Sequence, residues 1–337
     1  MAIVELAIDF GSSYITIYQK GKGIVLKEPS VAIAVKKKNK LELAETGRDA
    51  LNVLYGSLGN AQVVYPIKEG VVVHQEAAGM MLKSFIKKVV PDRLFITPTV
   101  KALVLISCGL TVVERRTVES VVNAAGIKEV MLAESALALL QYTNSVGGVF
   151  VDIGGGTAEV CSVTRRGIAV GSSVNIGGNM FNSKIIDHVA DKYGLKIGDY
   201  TAEKLKCDVG SMYDNDLSGA AIGGRDRLNG EPKTVEANAK DVKIALMPAV
   251  DGLVDVINNV INMSPPELAA EIKKKGVFLS GGSAKLPGLA EYISVRIGLP
   301  VTALTDLTEA VALGGGSLIE EDGENTLRTM LGLSKNV

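Results

Sequence analysis

Two short segments of this chain pair a carboxylate with a glycine turn: Asp9-Phe10-Gly11-Ser12-Ser13 near the start and Asp152-Ile153-Gly154-Gly155-Gly156-Thr157 near the middle. Each follows an apolar run, VELAI or GVFV, so each turn sits where a strand ends. Glycine there lets backbone approach another group closely, and the N–H groups and hydroxyls that follow suit an oxyanion such as phosphate. DFGSS alone reads equally as a plain hairpin turn. Three successive glycines are the stronger signal, because they weaken a strand connection unless something must reach its backbone. Asp9 and Asp152 would repel phosphate directly, but they suit Mg²⁺ held through water, since that ion keeps several waters. Two such turns, one per half of the chain, would grip a polyphosphate from both sides.

Other segments carry weaker signals. Gly281, Gly282 and Ser283 follow the strand-like GVFL and precede PGLAEYISVRIG. Bare backbone beside a helix start admits a phosphate or the flat face of a base. Glu203 and Lys206 share one helical face at i and i+3, which by spacing alone reads as a surface ion pair worth well under ~1 kcal/mol. Glu134 opens ESALALL, where spacing alone reads an acid at the favourable end of a helix dipole. Leu94, Phe95 and Ile96 lie between Pro91 and Pro98, in a place where a turn should carry polar residues. They either begin the next strand or meet lipid, where burial would contribute roughly 1.5–3 kcal/mol each. Lys87, Lys88 and Arg93 nearby would add attraction to anionic head groups. The short basic run from Lys36 to Lys40 reads as a solvated hairpin tip.

These residues need a frame. IVELAIDFGSSYITIYQKGKGIVL reads as three short strands joined by glycine turns, and residues 148–174 repeat that pattern. Helical spacing follows each meander, at VVERRTVESVVNAAGI, AESALALLQY, GNMFNSKIIDHVADKYG, TAEKLKCDVGSMY, DVKIALMPAVDGLVDVINNVINM and PELAAEIKKKG, and further strands read at KALVLIS, EVMLA and GVFLS. The composite is a duplicated two-domain α/β chain, with insertions from about Ser30 to Pro66 and from about Ile185 to Ala249 as smaller subdomains. The glycine clusters, ALGGGS included, all read as turns.

Composition narrows the function. With 36 basic against 37 acidic residues, a formal charge of −1 and 4% aromatics, the chain offers nucleic acid no footprint. Cys108, Cys161 and Cys207 are scattered and only His74 and His188 are present, which excludes a disulfide scaffold and a zinc site. No signal peptide is read at the start and no apolar run reaches the roughly 18 residues of a membrane span. A cytosolic location follows, while a mean hydropathy of +0.25 leaves room for apolar surface contacts.

DFGSS, VFVDIGGGTAEV, VNIGGNMF, TAEKLKCDVGS and VFLSGGSAKLPGL, in this order, resemble the actin-like ATPase superfamily. KGKGIVLKEPSVAIAV, YPIKEGVVVHQ, TVVERRTVESVVNAAGIKEVMLAES, GRDRLNGEPKTVEA, SPPELAAEIKKKGVFLSGG and LTEAVALGGG are similar to segments of its bacterial MreB/Mbl branch, over essentially the whole chain. The resemblance implies an actin-like duplicated fold: two domains, each a central mixed sheet flanked by helices, and four subdomains around a nucleotide cleft. Subdomain IA would be 1–32, 67–146 and 315–337, IB 33–66, IIA 147–183 and 250–314, and IIB 184–249. It implies ATP or ADP with Mg²⁺, slow hydrolysis, self-assembly into protofilaments, attachment beneath the cytoplasmic membrane and membrane-bound cell-shape partners, with no nucleic acid.

Residue by residue, the resemblance puts Asp9, Gly11, Ser12 and Ser13 on one phosphate loop and Asp152, Gly154, Gly155, Gly156 and Thr157 on the other, with Asp9 and Asp152 facing the metal through water. Glu203 and Lys206 align with the adenosine-contacting pair, and Gly281, Gly282 and Ser283 with the adenosine loop. Glu134 and Thr157 take the catalytic positions, Glu134 orienting the attacking water, and Leu94, Phe95 and Ile96 become the membrane loop. The pattern departs at Ala133-Glu134-Ser135, where Glu-Glu-Pro is usual, and at Ala158, where a threonine is usual. Ser107-Cys108-Gly109 stands for Pro-Ser-Gly and Ser283 for a glycine. These changes bear on the hydrolysis rate more than on binding and mark a divergent paralogue. A non-polymerising adaptor ATPase of a membrane assembly system would share the loops but lack segments such as GRDRLNGEPKTVEA. A sugar or acetate kinase would need an acceptor site, and no such constellation is found.

Overall fold

The apolar runs Ile3–Phe10 and Gly147–Ile153 each become the central strand of a five-stranded sheet. The structure, a computed structural model, describes residues 3–37, 40–54, 61–90, 98–320 and Leu331. It divides into one unit of residues 1–147, 163–171 and 308–337 and another of residues 148–162 and 172–307.

In the first unit, Ile3–Phe10 pairs antiparallel with Tyr14–Gln19, which pairs with Gly23–Pro29. On its other side it pairs parallel with Thr99–Ile106, followed by parallel Glu129–Glu134. Leu6, Ile8, Ile15, Ile17 and Val104 are fully buried, against Met81, Leu82 and Phe85 of helix Gln75–Val89 and Val121 and Val122 of helix Val112–Ala124. Ala32–Lys37, Lys40–Thr46 and Ala61–Val64 form a small separate sheet with Ala32–Lys37 in the middle.

Helix Ala310–Ile319 corrects one expectation. Gly314, Gly315 and Gly316 make no turn but lie inside this helix. A Cβ on Gly314 would sit 1.9 Å from the Ala138 carbonyl oxygen of helix Ser135–Tyr142, one on Gly315 2.5 Å from Leu105 Cδ1, and one on Gly316 2.6 Å from the Tyr18 ring. Glycine costs a helix about 1 kcal/mol relative to alanine. Here it is required because this helix lies directly on a neighbouring helix and on the sheet.

The second five-stranded sheet repeats the plan. Gly147–Ile153 has Ala158–Thr164 and then Gly167–Val174 on one side, and parallel Val277–Ser280 and Val301–Ala303 on the other. The strand order matches that of the first sheet, as the repeated sequence pattern predicts. Helix Gly178–Tyr193 packs on helix Ala239–Met263, with Phe181, Ile185 and Val189 buried on one and Val242, Leu246, Val250, Leu253 and Ile257 on the other. At 25 residues the latter is, against the sequence reading, long and apolar enough to cross a membrane. Its buried stripe and the capping box between Asn238 and Asp241 make it a core helix of this unit. A small sheet of Leu195–Lys196, Gly219–Asp226 and Pro232–Asn238 completes the unit.

Candidate functional site

In the second unit the structure gathers most of the residues singled out above. The Gly154–Thr157 turn closes on itself through Gly154 N–H donating to the Thr157 carbonyl at 2.9 Å. Its carbonyls are taken up by the start of helix Gly178–Tyr193: Gly178 N–H donates to Gly154 O at 3.0 Å and Asn179 N–H to Gly155 O at 2.8 Å. The Ser283 hydroxyl adds a bond to Gly154 O at 2.9 Å, which ties the third glycine segment to the second. Gly281 has φ +90°, and a Cβ there would lie 2.3 Å from Ile153 O. A Cβ on Gly177 would lie 2.7 Å from Gly155 O and 2.9 Å from Gly154 O. Three chain segments thus meet with backbone against backbone, leaving no room for a side chain at Gly177 or Gly281.

Glu203 and Lys206 join this group. Both lie on helix Asp199–Val209. The i,i+3 ion pair that spacing suggests is present, with the Lys206 side chain only 10% exposed and that of Glu203 51% exposed, so its ammonium end is largely buried. Its ammonium has three protons and three acceptors: Glu203 Oε2 at 2.7 Å, Asn182 Oδ1 at 2.9 Å and Gly178 O at 3.2 Å. Asn182 also donates Nδ2–H to Glu203 Oε2 at 2.8 Å. Burial pushes the Glu203 carboxyl up, but the bonds from Lys206 and Asn182 outweigh it and hold the carboxyl below its ordinary range. Sequence reasoning missed Asn182, which sits inside a helical pattern and shows no distinguishing spacing. Gly177 and Gly178 were visible as a glycine cluster, read as a turn, within the resembling segment VNIGGNMF.

Asp152 ends strand Gly147–Ile153 opposite Ser280. Burial pushes its carboxyl up to about 6, against the lowering effect of a hydrogen bond from the Ser280 hydroxyl. A carboxylate raised by desolvation gains from a nearby cation, and in this sense Asp152 fits Mg²⁺. Among the described residues no group of three His, Cys, Asp or Glu could hold a metal directly. A water-mediated ion does not require one.

In the first unit, Asp9 and Glu134 end parallel strands at one edge of the sheet. Asp9 is opposite Leu105 and Glu134 opposite Ile106, so one strand separates them, or roughly 10 Å by strand spacing. That edge, beyond the carboxyl ends of parallel strands, is where open α/β sheets hold ligands. Gly11 is required by its own turn, since a Cβ would lie 2.7 Å from Tyr14 O. Ser30 donates its hydroxyl to Gly11 O at 2.6 Å, Ser30 N–H bonds Ser13 O at 2.9 Å, and Ser12 Oγ accepts from Gly70 N–H at 2.9 Å. Gly70 and Glu69, both at positive φ, form the tip between Ile67–Lys68 and Val71–Val72.

Glu134 is not the exposed helix-end acid that its spacing suggests. It is the N-cap of helix Ser135–Tyr142 and makes no capping bond; its Oε1 accepts from Arg115 Nη2, and its side chain is 17% exposed. Thr157 is buried, as is Ala158 beside it. Leu94, Phe95, Ile96 and Arg93 lie outside the described residues, as do residues 38 and 39 of the basic run.

The family model described as MreB/Mbl protein matches residues 3–326. The cell shape-determining protein MreB of Escherichia coli strain K12 is 36% identical over 325 residues, which cover 94% of this chain and 93% of that protein. The cell shape-determining protein Mbl of Bacillus subtilis strain 168 is 33% identical over 322 residues, covering 94% and 96%. Among solved structures, MreB5 of Spiroplasma citri bound to AMPPNP is 25% identical, with a TM-score of 0.85 over 97% of this chain and 99% of that one. The same protein bound to ADP gives 26% and 0.86 over 96% and 98%. A MamK double helical filament, at 17% identity and a TM-score of 0.79 over 95% and 99%, shares the fold.

Proposed function

The chain belongs to the MreB/Mbl family, and from that premise we propose that it is an ATP-binding bacterial actin homologue that assembles into filaments beneath the cell membrane and supports cell shape. The observation that carries this reading is the meeting of the Gly154–Gly156 turn, the Gly177–Asn179 helix start, Ser283 and the Glu203–Asn182–Lys206 triad in one unit. Glycine turns held in place beside a fixed carboxylate and ammonium suit a ligand with both an anionic part and a polar sugar part. The relatives bound to AMPPNP and ADP support a nucleotide as that ligand.

In this reading Gly154, Gly155, Gly156 and Thr157 serve one set of phosphates and Gly11, Ser12 and Ser13 another. Asp9 and Asp152 hold the waters of Mg²⁺, which when bound neutralises phosphate charge. Glu203 and Lys206 take the sugar, and Gly281, Gly282 and Ser283 the base. Glu134 and Thr157 take the catalytic positions, Glu134 orienting the water for slow hydrolysis. The four-subdomain division, the cytoplasmic location, the cell-shape partners and a membrane contact through Leu94, Phe95 and Ile96 belong to the same proposal. Sedimentation with ATP, at micromolar protein, tests it. Pelletable filaments are expected, and liposome flotation of them should fail when Leu94 and Phe95 are replaced by serine. A chain that binds ATP and stays monomeric across nucleotides, salts and lipids would instead be a non-polymerising adaptor.

A further inference from the structure

Glu134 ends a strand and begins a helix, in extended backbone at φ −71° and ψ 140°. An acid at that position ordinarily turns back on the first helical N–H groups. This one does not: its carboxylate is held from outside its own helix by Arg115, one turn into helix Val112–Ala124. Arg115 is itself held at two points. Its backbone N–H bonds Thr111 O at 3.0 Å and its Nε donates to Leu110 O at 3.3 Å. The helix start beneath it is fixed by a capping box, in which Thr111 N–H bonds Glu114 Oε2 at 2.7 Å and Glu114 N–H bonds Thr111 Oγ1 at 3.3 Å. The chain therefore runs from the end of strand Thr99–Ile106 through a rigid corner to Arg115, and Arg115 reaches across to the end of the adjacent strand.

From this geometry we infer that Arg115 is a positioning residue for hydrolysis, setting where the Glu134 carboxylate points. The inference rests on the reading of Glu134 as the acid that orients water. The guanidinium suits this task because its donors are fixed in one plane: Nε stays on the Leu110 carbonyl while Nη2 directs the carboxylate. A lysine would keep the charge and lose that fixed span. The pair is sheltered, at 33% and 17% side-chain exposure, so water competes with it less than with an ordinary surface pair.

The full chain with ATP and Mg²⁺ decides the matter, through single-turnover phosphate release beside calorimetric ATP affinity for Arg115→Met, Arg115→Lys, Glu134→Gln and the Arg115→Met/Glu134→Gln double variant. Misplacing a catalytic group by about 1 Å can cost ~100-fold. Arg115→Met should therefore slow release at least about tenfold while ATP affinity stays within about twofold. Arg115→Lys should fall between Met and wild type. In the Glu134→Gln background, Arg115→Met should add no further loss. Wild-type release by Arg115→Met, a full additional loss in the double variant, or rate and affinity falling together in both Arg115 variants would each overturn the inference. Wild-type release by Glu134→Gln would remove the Glu134 reading itself, and the inference with it.

Discussion

The connection from Phe10 to Tyr14 is fastened mainly by hydroxyls, with Ser30 on the Gly11 carbonyl and Ser12 under the Gly70 N–H, beside one backbone bond from Ser30 N–H to Ser13 O. The connection from Ile153 to Ala158 follows the equivalent central strand, yet it is fastened largely by backbone, through the Gly178 and Asn179 amides and the close passage of Gly177 and Gly281. Both turns carry an acid at the strand end, but the glycine with no room for a Cβ is Gly11 itself in the first, and in the second it is Gly177 and Gly281 of the segments lying against the turn, since a Cβ on Gly154 would meet Thr157 O only at 3.4 Å. The difference lies in what may change around them. A hydroxyl can be lost for the worth of one hydrogen bond, whereas a backbone contact below 3 Å leaves no room for a methyl group. The second turn is pressed by two neighbouring segments, at Gly177 and Gly281, where the first has a single such contact within itself, from Gly11 to Tyr14 O, and that makes the second the more brittle.

Gly177→Ala tests that brittleness and carries the largest expected effect. Its φ of −157° is ordinary extended backbone, so the cost is wholly steric. The new Cβ meets two carbonyl oxygens of the turn, and neither is the end of a flexible side chain. Overpacking of this kind costs about 3 kcal/mol. Hydrogen exchange of the amides in helix Gly178–Tyr193 should accelerate accordingly, and ATP binding should weaken. Exchange unchanged from wild type would mean that the turn yields easily and that the two turns do not differ.

Two acids of the second unit sharpen the comparison. Asp241 is buried, which alone would raise its carboxyl; bonds from Lys192, Tyr193, the Asn238 backbone and His188 overrule this and hold it at about 2, against an ordinary 3.8. The unfolded chain takes up that proton first, so the stabilisation, about 2 kcal/mol, is complete above pH 4 and is lost as pH falls towards 2. Asp152 shifts the other way, to about 6 from 3.8. Here the folded chain takes up the proton first, so stability falls as pH rises from about 4 to 6 and stays lower above that. Melting temperatures from pH 2.5 to 7.5 should show Asp241→Asn without the acid-side loss. Asp152→Asn should melt at or above wild type at pH 7 without ligand and lose the extra stabilisation that Mg²⁺ adds to ATP. An Asp152→Asn protein that still gains from Mg²⁺ would remove this carboxylate from the metal site.

The duplication and the meander opening each half were legible because they rest on short apolar runs bounded by glycine, and those runs recur in both halves. The Gly314–Gly316 segment was misread because glycine-rich turns and glycine-rich close-packed helices look alike without their neighbours. Here the deciding neighbours, Ala138, Leu105 and Tyr18, are remote in sequence. The Glu203–Lys206 spacing was visible, but the further acceptors of Lys206, Asn182 and Gly178, come from another helix. The Arg115–Glu134 pair escaped for the same reason: it spans 19 positions and a strand-to-strand crossover, and no local period encodes it. Local order is written in local pattern; the chemistry here is completed by residues that the crossovers bring in.

The smallest expected effect belongs to the first turn. Ser12→Ala removes the acceptor for the Gly70 N–H and leaves the backbone path of the turn intact, because Gly11 and the Ser30 bond to its carbonyl remain. A single hydrogen bond of this kind contributes about 1 kcal/mol net. The Gly70 amide should exchange about fivefold faster, in keeping with that energy, while the amides of strand Ile3–Phe10 stay protected. ATP affinity should fall by less than in Gly177→Ala, because Ser12 would give up one contact and Gly177→Ala would displace a whole turn. Should Ser12→Ala instead unfasten the strand and abolish binding, the first turn would be as brittle as the second, with its hydroxyls and not its glycine holding it in place.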